Sequence, residues 1–319
     1  MVDLRAIEAV RPAVGRIARR TPILTSRTFS DLTGGIVVLK AENLQLTGAF
    51  KVRGASAKLA ALGDACAAGV VCASAGNHGQ GVAAAAAAHG VPCDVFVPAE
   101  ASIAKTEAIA ASGARVHRGG AALEDAVAAA KALAGERGLT FVHPFDDPDI
   151  IAGQGTLGLE LVEEVPDLAK VVVPIGGGGL AAGVAAAVKG ARPHVEVVGV
   201  RATDVAQTIA DGIAVKGGGA LTVPLMDALL DDQVTVGEDE IAEAMFLCLE
   251  RAKLVVEGAG AASVAALIAR RTPPARSGST VAILSGGNVD AGLLAAIARR
   301  HETEAGRRLV LMTRLQFAT

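Results

Sequence analysis

Along this chain, short runs of β-branched and aliphatic residues alternate with Ala-rich stretches of helical spacing. From Val70 onward the runs Val70 to Ala73, Cys93 to Val97, Arg115 to His117 and Thr140 to Val142 read as strands, and the stretches between them close on Gly90, Gly113 and Gly138. Strand, helix and strand in this order predict a parallel sheet covered by helices. The same order resumes with Lys170 to Pro174, Val195 to Val200 and Val281 to Leu284; the first and last run directly into glycines and a helical stretch. Nearer the start, Leu4, Ile7, Val10, Val14 and Ile17 recur every three or four positions and predict a helix that Pro12 should kink or divide. Ile36 to Lys40, after the turn residues Asp31 to Gly35, predicts one further strand. Between the two series, Pro144 and Pro148 flank two aspartates within His143 to Asp149, where the chain is expected to cross between lobes.

A length of 319 residues fits that two-lobed reading, since domains typically hold about 100 to 200 residues. Hydrophobic residues at 51% and charged residues at 20% are the balance of a globular protein. With aromatic residues at 2% and neither Trp nor Tyr, the cores must be packed from Ala, Val, Leu and Ile, and stacking on nucleic-acid bases is barely available. The net charge of −3 supplies no basic surface to neutralise phosphates, so no nucleic-acid partner is expected. Cys66, Cys72, Cys93 and Cys248 show neither C-x-x-C pairing nor zinc-site spacing, and read as reduced thiols. Asp3, Arg5, Glu8 and Arg11 interrupt the N-terminus where a secretory signal needs an apolar stretch, and no window is apolar enough to span a bilayer. A cytoplasmic enzyme without membrane partners is the expectation.

Three predicted strands end in turns of small residues that open a helix: Ser74-Ala75-Gly76-Asn77-His78-Gly79, Gly176-Gly177-Gly178-Gly179 and Ser285-Gly286-Gly287-Asn288. In open parallel sheets ligands bind beyond the carboxyl ends of the strands, and a glycine turn there aims free N–H groups and a partial positive charge outward. The four glycines best fit a phosphate, because a Cβ would hold its oxygens away from the N–H donors. Gly176-x-Gly178-x-x-Ala181 after Val171-Val172-Val173 also satisfies a dinucleotide fingerprint. The following run ends in Arg201 instead of the acid that would take ribose hydroxyls, which disfavours NAD and leaves NADP open. Lys51 lies in the small, apolar stretch Thr47 to Ala55, where shielding would lower its pKa as Schiff-base chemistry requires; a solvated surface charge is the ordinary alternative.

Gly48 to Ala55, Ser74 to Gly81, Gly176 to Gly179 and Ser285 to Asn288 occur in the order seen in threonine and serine dehydratases, and the chain resembles that family from about Thr21 to Asp290. The resemblance implies a two-lobed, fold-type II pyridoxal-phosphate enzyme of α/β class, each lobe a mostly parallel sheet flanked by helices. Residues 1–68 plus 146–319 would form the large cofactor-binding domain and residues 69–145 the small one. It implies that Lys51 bonds to pyridoxal 5'-phosphate and later takes the substrate α-proton. Phe50 would pack against the pyridine ring or serve as an ordinary core residue. Asn77 would meet the ring hydroxyl, Gly176, Gly177, Gly178, Gly179 and Leu180 the phosphate, and Ser285 the pyridine nitrogen. Ser74, Ala75, Gly76, Asn77 and His78 would form the loop that receives the substrate carboxylate, although His78 has capping its helix as an alternative. Gln154 would touch the same carboxylate or make a hydrogen bond at a helix N-terminus, and Glu257 carries a weaker signal still. The reaction implied is dehydration and deamination of L-threonine or L-serine. The alternatives are a serine racemase, a 3-hydroxyaspartate dehydratase, an NADP-linked oxidoreductase and a non-catalytic pyridoxal-phosphate-binding protein. A homodimer or homotetramer is the implied assembly.

The chain departs from its relatives at three places. Ala75 stands where serine racemases carry a second serine as base, and a methyl group moves no proton, so little or no racemisation is expected. Arg201 replaces the first acid of a cation site found in several relatives, leaving Asp204 and a short Arg201 to Thr208 connection, so no metal is expected. The tail Arg307 to Thr319 resembles the strand that leads into a regulatory domain in longer relatives, and feedback through such a domain is not expected.

Overall fold

Valine-rich runs flanked in sequence by apolar helices can be buried on both faces in a parallel sheet. The computed structural model, which describes residues 2–203, 208–215 and 217–309, forms two such sheets. The strands are β1 (Ile23–Thr25), β2 (Val37–Ala41), β3 (Val70–Ala73), β4 (Cys93–Val97), β5 (Arg115–Arg118), β6 (Thr140–Phe141), β7 (Leu168–Pro174), β8 (Glu196–Ala202), β9 (Asp232–Val236) and β10 (Ser279–Leu284). The larger sheet has the order β1-β2-β10-β7-β8-β9 and is parallel except for the antiparallel edge pair β1 and β2. The smaller one, β5-β4-β3-β6, is parallel throughout. This is the α/β architecture expected from the alternation.

Two strands escape the hydrophobic pattern. β1 spans only 3 residues, too few for a period to show. β9 is an edge strand whose Asp232, Gln233 and Thr235 face solvent, so it lacks the buried run that marks β7 or β10. The first helix also differs: Leu4–Val14 runs through Pro12 and ends at Gly15, whose N–H meets Arg11 O at 2.9 Å, so Ile17 lies beyond it.

Helices Pro148–Glu164 and Gly179–Ala191 cover one face of the larger sheet, burying Leu157, Leu161, Val184 and Val188 against Val171 and Val173. Helices Glu238–Leu247 and Gly258–Ile268 cover the other, with Ile241, Met245 and Val264 against Val172 and Leu284. The smaller sheet is packed by Lys51–Leu62, Asn77–His89 and Ile103–Ala111 on one side and by Leu123–Arg137 on the other. Helix Lys51–Leu62 thus lies between the sheets, and a buried charge cluster ties it to the larger one. The Arg53 guanidinium forks onto Glu42 (2.8 and 2.8 Å) and Glu160 (2.7 and 3.0 Å), while Lys40 Nζ lies 2.6 Å from Glu160 and Thr21 donates to Glu42. Buried charges persist only when paired in this manner. All four cysteines are buried and unbridged. Among the described residues no helix is long and apolar enough to cross a membrane.

Candidate active site

β10 delivers one wall of a cleft. Beyond its last residue, Phe50 N–H donates to Ser285 O (3.1 Å), Ala49 bridges to Gly286, and Gly287 N–H donates to Gly48 O (2.8 Å). This short antiparallel pairing places Lys51, the first residue of its helix, beside the end of the central strand. The lysine is half-buried, its Nζ donates to Pro144 O at 2.8 Å, and the Phe50 ring centroid lies 5.2 Å away. Phe50 itself is partly buried and packs against the core of the larger lobe. Burial pulls the Lys51 amine from its ordinary 10.5 down to about 8, with the nearby Glu257 carboxylate opposing the shift.

The tetraglycine bend follows β7. Gly178 has φ +95°, a left-handed conformation open to glycine, and the first bond of the ensuing helix runs from Ala182 N–H to Gly178 O (2.8 Å). The N–H groups of Gly179, Leu180 and Ala181 are therefore the orphan donors of a helix start. A side chain at Gly177 would collide with the Phe145 ring, so the bend and the segment His143 to Asp146 are in contact. Since Lys51 meets Pro144 and Phe145 meets Gly177, the lysine and the glycine bend border one cleft. Asp146 closes its outer side, accepting from Ala220 N–H (3.0 Å) and Leu221 N–H (2.8 Å), and Thr222 donates to Gly177 O (2.7 Å).

The loop after β3 supplies the opposite wall. Ser74 Oγ accepts from Gly76 N–H (3.2 Å), and a side chain at Gly76 would meet nothing within 4 Å, so that backbone faces open space. Asn77 opens helix Asn77–His89 and donates from Nδ2 to Glu257 Oε1 at 2.7 Å. The buried Glu257 carboxyl is raised to about 7, by burial first and by Asp211 next. Ser285 is buried, and its hydroxyl makes no hydrogen bond to another described residue.

Two expected residues are buried and bonded to backbone groups. Gln154 is 1% exposed in helix Pro148–Glu164, and its Oε1 accepts from Gly54 N–H at 3.1 Å. Gly54 lies in the first turn of helix Lys51–Leu62, so of the two expected contacts the one present is the hydrogen bond at a helix start. The buried His78 ring turns its Nε2 to Val142 O (3.0 Å), and burial holds its pKa down to about 3, so it is neutral. Conversely, Glu257, Asn288 and Phe145 belong to the site although the motifs gave them no firm role. Asn288 was visible only as the end of a glycine motif, and His143 to Asp149 read as a crossing between lobes.

The donor set fits pyridoxal phosphate: an amine of lowered pKa for an aldehyde, orphan N–H groups for a phosphate, and the hydroxyl of the buried Ser285 and an oriented amide for the ring. Among the described residues no group of three or more His, Cys, Asp or Glu could hold a metal ion. Arg201 pairs with Gln233 at 3.2 Å, whereas Asp204 lies outside the described residues, as do 310–319 of the tail.

Comparison with known proteins gives three kinds of likeness. Residues 14–286 match a family model described as pyridoxal-phosphate dependent enzyme. An L-threonine ammonia-lyase of Geobacter sulfurreducens is 44% identical over 99% of this chain and 83% of its own length. Among solved structures, maize serine racemase matches with a TM-score of 0.88 at 33% identity, over 96% of this chain and 99% of that one. Serine racemase from Dictyostelium discoideum matches with a TM-score of 0.84 at 35% identity, over 91% and 99%, and a threonine deaminase does so with the same TM-score at 38% identity, over 90% and 99%.

Proposed function

This chain belongs to the pyridoxal-phosphate dependent enzyme family, and we propose that it dehydrates and deaminates a small β-hydroxy amino acid. L-Threonine would give 2-oxobutanoate and ammonia, or L-serine pyruvate and ammonia. The observation that carries this reading is Lys51, half-buried at the head of its helix with Nζ on Pro144 O, in a cleft shared with the glycine bend. Pyridoxal phosphate, when bound, supplies a sink for the electron pair left as the α-proton departs.

Lys51 is the residue to hold the cofactor aldehyde, and with a pKa of about 8 far more of its amine is neutral near physiological pH than for an ordinary lysine. Once free of the aldehyde, that amine accepts the proton from substrate Cα. Gly177 to Leu180 would hold the phosphate through backbone N–H groups, and Phe50 would border the ring. The Ser285 hydroxyl would meet the ring nitrogen; a neutral hydroxyl does not keep that nitrogen protonated as a carboxylate would, which favours elimination over transamination. Ser74 to Asn77, at the start of helix Asn77–His89, would receive the substrate carboxylate on its N–H groups. The β-hydroxyl would leave as water with the proton that the Lys51 amine took from Cα, and the released enamine would hydrolyse to the 2-oxo acid and ammonia.

In the test, the protein loaded with pyridoxal phosphate is expected to show a visible band that borohydride bleaches and that Lys51→Ala lacks. Ammonia release should fall by at least ~10³-fold in that variant, the scale of a lost proton-transfer group. Assays with L-threonine, L-serine and 3-hydroxyaspartate rank the substrates. A colourless wild-type protein that releases no ammonia overturns the reading. Racemisation is the second reading, favoured by the match to maize serine racemase, but the methyl group of Ala75 can move no proton. We further take 1–68 plus 146–319 as the large domain and 69–145 as the small one, in a cytoplasmic homodimer or homotetramer. Limited proteolysis and light scattering test the division and the assembly.

A further inference from the structure

Three side-chain amides and one carboxylate beside the cleft form a chain with a definite sense. Thr47 O is a backbone carbonyl and can only accept, so Asn288 must turn its Nδ2 toward it, at 2.8 Å. The second proton of that Nδ2 goes to Asn77 Oδ1, also at 2.8 Å, with Gln80 Oε1 more distant at 3.5 Å. Asn77, its oxygen thus committed, points its own Nδ2 at Glu257 Oε1, at 2.7 Å. One proton of Asn77 Nδ2 is left over at the head of helix Asn77–His89, next to the open space at Gly76.

Glu257 is built in firmly. Its backbone N–H donates to Gly286 O (3.1 Å), and a side chain at Gly286 would collide with Glu257 Oε1, so glycine there makes room for the carboxyl. We propose that Glu257 is a positioning residue: by accepting from one Asn77 N–H it aims the other at the ring oxygen of the bound cofactor, and its protonation state tunes the strength of that contact. This rests on the pyridoxal-phosphate reading of the cleft. An anionic acceptor makes a stronger, shorter hydrogen bond than a neutral one, and it polarises the donor amide. In the cofactor-free protein burial first, then Asp211, favours the neutral form of Glu257, while Lys105 and Lys51 favour the anion; its ordinary 4.5 is lifted to about 7.

The experiment is a pH titration of the visible band in the loaded enzyme. Wild type is expected to shift as Glu257 titrates, with a midpoint above the ordinary carboxylate range. Glu257→Gln keeps an acceptor oxygen for Asn77 but cannot titrate, so its band should match low-pH wild type and stay there as pH rises. Asp211→Asn should move the wild-type midpoint down and Lys105→Met should move it up. Glu257→Leu and Asn77→Ala should shift the band alike, with no added shift in the double variant. If Glu257→Gln titrates as wild type does, or if Glu257→Leu leaves the band unmoved while Asn77→Ala displaces it, the positioning role is overturned and the cofactor reading survives. A wild-type protein without any visible band defeats both.

Discussion

At the residue scale, Lys51 and Glu257 are buried against their ordinary ionisation in opposite senses, and the pH dependence of stability in cofactor-free protein follows. Lys51 has a folded pKa of about 8 against an ordinary 10.5, so between these values the unfolded chain binds more protons. Its contribution to stability therefore rises as pH climbs through that window. Glu257 has a folded pKa of about 7 against 4.5; there the folded state holds the extra proton, and the stability it contributes is lost as pH rises through 7. Glu257→Gln should flatten the urea-midpoint profile between 4.5 and 7 and be more stable than wild type above it; a profile parallel to wild type would contradict the assigned pKa. Ala75 makes a separate claim. Purified enzyme given L-serine should release ammonia without D-serine, as chiral chromatography of the reaction would show.

At the element scale, the seating of helix Lys51–Leu62 against helix Pro148–Glu164 decides where Lys51 points. Gly153 lets the two backbones approach: a Cβ there would lie 2.6 Å from Arg53 O and from Gly54 Cα. Gly153→Ala is expected to cost about 1–3 kcal/mol in urea denaturation, the range for overpacking a tight contact. Arg53→Ala leaves the buried Glu42 without its ion-pair partner and Glu160 with Lys40 alone, and should cost about 3–5 kcal/mol. The small, apolar stretch around Lys51 was readable in the sequence. The ion pairs were not, because Glu42, Arg53 and Glu160 are far apart in sequence and a charged residue is ordinarily a surface residue. Gln154 shows the same limit: the motif containing it was visible, but the helix that its amide serves became apparent only when the two helices met.

At the scale of the whole molecule, the smaller sheet reaches the larger across the cleft. Lys105, on helix Ile103–Ala111, pairs with Asp211 at 2.7 Å, in a turn whose Ile213 abuts Gly176 of the glycine bend. A partly exposed pair of this kind contributes about 0–1 kcal/mol, so Lys105→Ala should barely change the urea midpoint. It should instead raise KM several-fold by loosening the closed lobes, and the difference should shrink near 1 M salt, where screening acts within about 3 Å; an unchanged KM at low salt would remove the pair from lobe closure. The sequence by itself determined the strand and helix alternation, the glycine bends and the position of Lys51. These are local properties, written in spacing, side-chain shape and the freedom of glycine. Tertiary structure alone decided that Pro144 would receive the lysine, that Gln154 would serve a helix start, and that Glu257 would reach Asn77. Each depends on segments brought together from distant parts of the chain, and the chemistry of a buried polar group is set by the partners that replace its water.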